Sequence, residues 1–467
     1  MEFYKPAFAG FFFLVFLVYW RLPRHTQRMG WLLLASAGYY ASFNPWFLLL
    51  LFASTFVDYV VALRLATTDS PGHRKLLVAL SVAANLGVLG YFKYLMLLLH
   101  SGQAVAGWLG WVVQVPGWKL ALPLGISFYT FEAISYIVDV YRRKIEPFRS
   151  LREYMLYILF FPHLLAGPIV RPSHFAPQIR RPKRLSWPRI EAATALFLLG
   201  LFKKAVLGDW MASHSDPVFA APGTFETQAL WLGLLAYAVQ LYCDFSGYTD
   251  MAIALALAFG FRLAPNFRAP YLATSLSDFW KRWHLSLSTW LRDYLFIPLG
   301  GSRGGLWMTC RNLMLTMTLG GLWHGATWTY VLWGAYNGVL LSLERLVPLP
   351  RFLSSRWLTP VWTLLTFLAL LVGFVLVRSQ SLADAGIVYT GLFTPVAGKA
   401  FSPLDGSMVV FSLGLLVACW LLVDSIDLRK LAVKLPAPVA GAGLAAFLLL
   451  YLVLLPLQST GFIYFNF

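Results

Sequence analysis

Apolar runs of close to twenty residues recur from one end of this chain to the other, and that repetition leaves few folds open to it. Each run is long enough to cross a hydrocarbon core of roughly 30 Å. Backbone amides in such a core must find partners within the chain, so helices are the expected element. The candidate spans are 7–20, 29–43, 46–63, 76–99, 120–140, 154–170, 191–209, 228–259, 306–323, 326–344, 358–377, 408–424 and 438–457. Composition agrees: 59% of the 467 residues are hydrophobic and 12% charged, about half the charged share of a soluble globular protein. With no internal repeat, low-complexity tract or soluble domain, the expectation is an all-α polytopic membrane protein forming a single membrane-embedded domain, 1–467.

The formal charge is +17, from 37 Lys+Arg against 20 Asp+Glu. In a soluble protein that balance would suggest nucleic acid. Here the basic residues sit in short segments between apolar runs, as orientation signals do, and no nucleic-acid partner is expected. Arg21, Arg24 and Arg28 follow the first span, Arg64, Arg74 and Lys75 the third, and Arg142, Arg143 and Lys144 the fifth. The intervening segments 42–45 and 101–117 carry no Lys or Arg. The alternation puts the N-terminus outside and the basic loops inside. Lipids of an anionic inner leaflet, or an anionic cytosolic donor, are then natural partners for the charge. The first span has Lys5 ahead of it and no small-residue cleavage site before Arg21, so it is expected to be retained. Cys243, Cys310 and Cys419 lack metal-ligand spacing, and neither a disulfide framework nor a metal site is expected.

Polar residues at membrane depth are costly and therefore the first functional candidates. His324 stands in LGGLWHG, where Gly320, Gly321 and Gly325 would allow backbone or substrate to approach the ring. A neutral buried imidazole can act as a general base; a core histidine held by one hydrogen bond is the plainer alternative. His284 lies in WKRWHLSLSTWLRDY. There Trp280, Trp283, Leu287, Trp290, Leu291 and Tyr294 recur near helical period, with Lys281, Arg282 and Arg292 off that stripe, which predicts a basic amphipathic helix at the inner interface. Asp278, Lys281, Arg282, Arg292 and Asp293 could contact an anionic donor or bridge one another. Asp244 and Asp250 could be catalytic, could relay protons in a transporter, or could pair with Lys203 and Lys204. His163 and Arg171 sit in the proline-rich break FPHLLAGPIVRP (161–172), which is expected to re-enter rather than span.

Five ordered segments carry a resemblance: LPLGISFYTFEAISYIVDVY (122–141), FFPHLLAGPIVRP (160–172), LYCDFSGYTDMAIALALAFGF (241–261), SDFWKRWHLSLSTWLRDYLFIPLGG (277–301) and GGLWHGATWTYVLWG (320–334). Together they resemble the membrane-bound O-acyltransferase family, in its bacterial alginate O-acetylation branch; the closing FIYFNF (462–467) is also similar. The resemblance implies a ring of about 11–13 tilted helices, with re-entrant and interfacial helices around a central funnel or tunnel. It divides the chain into N-terminal accessory helices (1–120), a catalytic core (121–345) and C-terminal helices (346–467). His324 matches the family's essential histidine and His284 the second histidine of the branch. Asp278, Lys281, Arg282, Arg292, Trp323 and Asp244 are the expected substrate or donor contacts.

The implied activity is transfer of an acetyl group from a cytosolic thioester, acetyl-CoA, toward hydroxyls of an exported polysaccharide. Transfer would be direct or through a periplasmic SGNH-hydrolase-like partner, with no tightly bound cofactor, in the bacterial inner membrane with the N-terminus periplasmic. D-alanyl transfer to teichoic acid from a carrier protein, a transporter and a non-enzymatic anchor are the alternatives.

Overall fold

Every regular element among the described residues is helical. The structure, a computed structural model, describes residues 2–118, 120–347, 356–394 and 406–423, with isolated positions beyond 440. The expected span 438–457 and the closing 462–467 lie outside them, apart from such isolated positions. Contacts divide the chain into two units, Met1–Arg189 with Leu255–Ala264, and Ile190–Ala254 with Pro265–Phe467.

In the first unit α1 (Pro6–Arg21), α2 (His25–Ala41), α3 (Pro45–Thr67) and α4 (Pro71–Leu89) match the first four expected spans. Proline at the first turn of α1, α3 and α4 sits where its missing N–H costs nothing. The fourth span runs on through a π-helical turn, Gly90–Tyr94, into α5 (Leu95–Trp108). Asp58 of α3, buried, accepts hydrogen bonds from Ser81 Oγ (2.6 Å) and Asn85 Nδ2 (3.0 Å) of α4. Buried Arg74 donates to the carbonyls of Leu65 and Tyr141, tying α4 to α3 and to α6 (Ile126–Tyr141).

The expected span 154–170 is broken, as its prolines and glycine predict. α7 (Leu151–Leu159) ends at Phe160, α8 (Phe161–Leu164) is one turn long, and irregular chain leads to α9 (Pro172–Arg180). Glu132 of α6 holds this break: its carboxylate accepts from Val170 N (2.8 Å) and lies 3.3 Å from His163 Nδ1, with both side chains buried. Tyr157 OH donates to Val170 O at 2.7 Å. Non-helical backbone at membrane depth needs protein partners of this kind.

The second unit receives most of α10 (Trp187–Phe202), which passes through a π-helical turn, Lys203–Gly208, into α11 (Asp209–Ala220). α12 (Thr227–Ala258) is the longest helix described. Short α13 (Leu276–Phe279) and α14 (Leu285–Leu291) precede α15 (Gly305–His324), α16 (Trp328–Leu346), α17 (Thr359–Arg378), α18 (Leu382–Phe393) and α19 (Gly406–Val423). By length and composition, Pro45–Thr67, Pro71–Trp108, Thr227–Ala258 and Thr359–Arg378 are each able to cross a membrane. Among the described helices, α9, α11, α18 and the one-turn α13 have no counterpart among the expected elements.

The interface helix expected over 280–294 is not continuous. Trp280–His284 forms turns, His284 takes a left-handed φ of 43°, and α14 passes at Arg292 into a π-helical turn ending at Phe296. Its stripe is not laid on lipid either, because Trp283, Leu287, Trp290 and Leu291 are all buried in protein. A helical period reports a face to be covered, not what covers it.

Two backbone approaches organise this unit. A Cβ on Gly334 would collide with Met317 O, and one on Gly321 with Tyr330 O and, at 2.9 Å, Gly334 Cα. α15 and α16 are thus in backbone contact. Likewise a Cβ on Gly247 would stand 2.6 Å from Gly200 O, drawing α12 against α10. There Lys203 Nζ meets Asp250 (2.7 Å), and Lys204 Nζ meets both Asp209 (2.7 Å) and Asp244 (2.6 Å). The carboxylates Asp244 and Asp250 are therefore partners of the two lysines.

Gly334→Ala should lower the melting temperature in detergent, at a cost of about 1–3 kcal/mol for overpacking, whereas Gly386→Ala, where nothing lies within 4 Å, should be silent. Lys204→Met should cost about 3–5 kcal/mol, because it leaves two buried carboxylates without their cation. Lys203→Met, at a pair 17% and 20% exposed, should cost less.

Candidate functional site

His324 is the last residue of α15 and His284 the residue that caps α14 at its N-terminus. Forty positions apart in sequence, their rings lie 6.0 Å apart between centroids, at 65°. His284 is fully buried and His324 is 6% exposed.

Local chemistry explains each position. A histidine with φ of 43° occupies a region that costs L-residues roughly 1–2 kcal/mol, so neighbours must hold it. Asn266 does so from the next strand of chain: its carbonyl accepts from Leu285 N (3.0 Å) and its Oδ1 from Ser286 N (3.1 Å). Arg268 N donates to Arg282 O at 2.9 Å, fixing the turn just before the histidine. His324 is set by the α15–α16 contact, in which Gly325 leaves room only for the Tyr330 ring. The glycines around His324 thus serve backbone and ring packing within the protein. Gly320 faces α14, with Leu291 Cδ1 3.1 Å from where its Cβ would be.

Aromatic rings wall the pair. Phe245 of α12 meets the His284 ring edge-on at 4.6 Å, and Trp323 lies 6.0 Å from it. Trp323 and Trp333 stand 5.0 Å and 5.1 Å from His324, both near perpendicular. Water is poorly served by such walls, and hydrogen bonds formed inside them are stronger for it. In the connection between α12 and α15, burial and then the neighbouring His324 push the His284 imidazole well below its usual range, so this ring stays neutral. Neutral imidazole can take a proton from a hydroxyl or donate to a carbonyl oxygen.

The other expected contacts divide. Trp323 is in the site. Asp278 is engaged with Arg282 (3.0 Å) and with Thr274 N (3.2 Å), stabilising the turn that leads to His284. Lys281 and Arg292 are exposed, Arg292 beside Asp293 at 2.8 Å. Asp244 pairs with Lys204, one residue before the Phe245 that touches His284. Phe245, Trp333 and Asn266 escaped sequence reasoning; the first two are apolar residues in apolar helices, and Asn266 lies in a loop with no pattern. Among the described residues, His, Cys, Asp and Glu side chains nowhere gather in threes able to hold a metal ion. A surface cleft of about 410 Å³ lined by Phe225, Leu230, Ile387 and Thr390 belongs to elements that carry neither histidine.

Residues 147–382, which include both histidines, match the model of the membrane-bound O-acyltransferase family. The chain belongs to this family. It is a multi-pass membrane O-acyltransferase, as its apolar helices and the five ordered segments had indicated. It is 39% identical to a probable alginate O-acetylase of Pseudomonas aeruginosa, over 92% of this chain and 82% of that one. It is 35% identical to a peptidoglycan O-acetyltransferase of Helicobacter pylori, over 84% and 77%. A teichoic acid D-alanyltransferase of Bacillus subtilis is 29% identical, over 54% and 67%.

In this acyltransferase His324→Ala should cut acyl transfer by roughly 10²–10⁴-fold, the loss expected of the base role proposed below. Phe245→Leu, which keeps bulk but loses the ring edge against His284, should cost roughly tenfold to a hundredfold through misplacement. Transfer measured in membranes, normalised to folded protein, checks both.

Proposed function

We propose that this acyltransferase moves an acetyl group from cytosolic acetyl-CoA to hydroxyls of an exported polysaccharide, directly or through a periplasmic acetyltransferase partner. The observation that carries the reading is the buried pair His284 and His324, 6.0 Å apart between ring centroids within aromatic walls. His324 takes the proton of the acceptor hydroxyl as its oxygen attacks the thioester carbonyl. The new C–O bond forms, the C–S bond breaks, and the proton passes from His324 to the departing thiolate, leaving free thiol. His284 polarises or positions the carbonyl, and nearby N–H donors steady the oxyanion.

The acceptor class is supported by the names of two relatives matched over most of this chain, an alginate O-acetylase and a peptidoglycan O-acetyltransferase. Acetyl-CoA suits the exposed Lys281 and Arg292, whose charge attracts its phosphates. The partner we infer is an SGNH-hydrolase-like periplasmic protein, which would finish the transfer onto polymer. The basic loops after α1, α3 and α6 favour the bacterial inner membrane with the N-terminus periplasmic. A teichoic acid D-alanyltransferase matches a smaller share of the chain, which makes a carrier-borne D-alanyl donor the second reading. Asp244 and Asp250 pair with Lys204 and Lys203, which favours a structural role for them over a proton relay.

Purified protein given acetyl-CoA labelled in the acetyl group should release free thiol and transfer label to polysaccharide when supplied with its partner. Turnover of an aminoacyl carrier in place of acetyl-CoA would replace this reading. A tag at the N-terminus should be reached by protease from the periplasmic side alone.

A further inference from the structure

Basic side chains from three separate stretches converge in the first unit. Arg28, at the start of α2, donates to Lys183 O at 2.9 Å. Lys183 lies with its ammonium 4.7 Å from the Phe261 ring centroid. Arg262 follows that phenylalanine and is fastened by Gln178, which accepts from Arg262 N (2.8 Å) and donates to Arg262 O (3.0 Å). Arg189 donates to Arg184 O.

The charged groups that act on Lys183 are Arg189, Arg181 and Arg262, all of its own sign. Together with burial, the larger cause, they push this loop lysine down to about 8. A cluster held together by carbonyl contacts against its own repulsion gains most from an anion.

Apolar and aromatic surface adjoins it. Trp20 lies under both Arg28 (5.2 Å) and Arg189 (5.7 Å). Trp187 is 68% exposed and Leu185 45% exposed, beside the same guanidiniums in sequence. Tryptophan with arginine at the ends of apolar helices is the composition of a membrane–water interface. A free phosphate would use the cations alone, whereas a phospholipid uses the cations and the exposed rings.

We propose that Arg28, Lys183, Arg189 and Arg262 bind the phosphate headgroup of an anionic phospholipid of the inner leaflet. The site is separate from the histidine pair and stands whether or not the acetyl-transfer reading does.

The test uses the full chain in phosphatidylcholine nanodiscs doped with phosphatidylglycerol, reading the mole fraction that half-saturates the rise in melting temperature. The double variant Arg189→Gln/Arg262→Gln should need roughly 30-fold more phosphatidylglycerol, about fivefold per lost charge. Arg149→Gln/Arg152→Gln, which removes two exposed arginines elsewhere in the same unit, should behave as wild type. Lys183→Met keeps an apolar stem against Gly260 and should shift half-saturation about fivefold even if the double variant folds poorly. Equal response of the wild type and the site variants overturns the proposal. So does an equal loss in the control, which would mean bulk charge, or the same stabilisation by millimolar inorganic phosphate, which would mean a free-anion site.

Discussion

Nothing larger than hydrogen fits where Gly321 and Gly334 bring α15 and α16 together, and the placement of His324 depends on that meeting. Gly321 and Gly334 let two backbones touch, which sets the end of α15 against Tyr330 and Trp333. His324 is the last residue of that helix, so its ring inherits a position decided by main-chain packing. Lipid tails are as apolar as leucine, so helices in a bilayer gain little from burying apolar surface against one another. Close backbone packing and polar pairing supply the order that the hydrophobic effect supplies in water.

Polar pairing follows the same logic in both units. Glu132 holds the broken segment after α7 through Val170 N and His163. Asp58 is satisfied by Ser81 and Asn85. Lys204 is shared by Asp209 and Asp244 across a π-helical turn, whose wider coil suits an inserted side chain and often marks a functional segment. Each removes a charge or amide that an apolar interior would otherwise penalise. The pair on α12 has a second effect, since Asp244 is chained to the phenylalanine that meets His284.

Most of the helices were legible because hydropathy is a property of composition along the chain, and α1 to α4, α12, α15, α16 and α17 fall near their expected bounds. The break after Phe160 was legible too, from Pro162, Gly167 and Pro172. α9 escaped because it is short, polar and carries an internal proline; α18 because twelve residues fall below the length of a span. His324 and His284 stood out as polar residues in apolar or aromatic surroundings. Their proximity did not, since forty residues of separation fix no distance. The supposed interface helix failed for a related reason. Its buried tryptophans face protein, and a turn held by Asn266 and Arg268 interrupts it at His284.

The left-handed backbone at His284 carries a consequence for how such an enzyme can change over time. Glycine or asparagine would relax that residue, and either would relieve the local strain. Random drift toward a more stable protein is thus biased toward losing the ring. With His284 in the role proposed for it, holding histidine there requires selection on turnover itself, acting against the gain in stability. Thermal stability and activity should therefore part company at this position before they do so elsewhere in the acyltransferase.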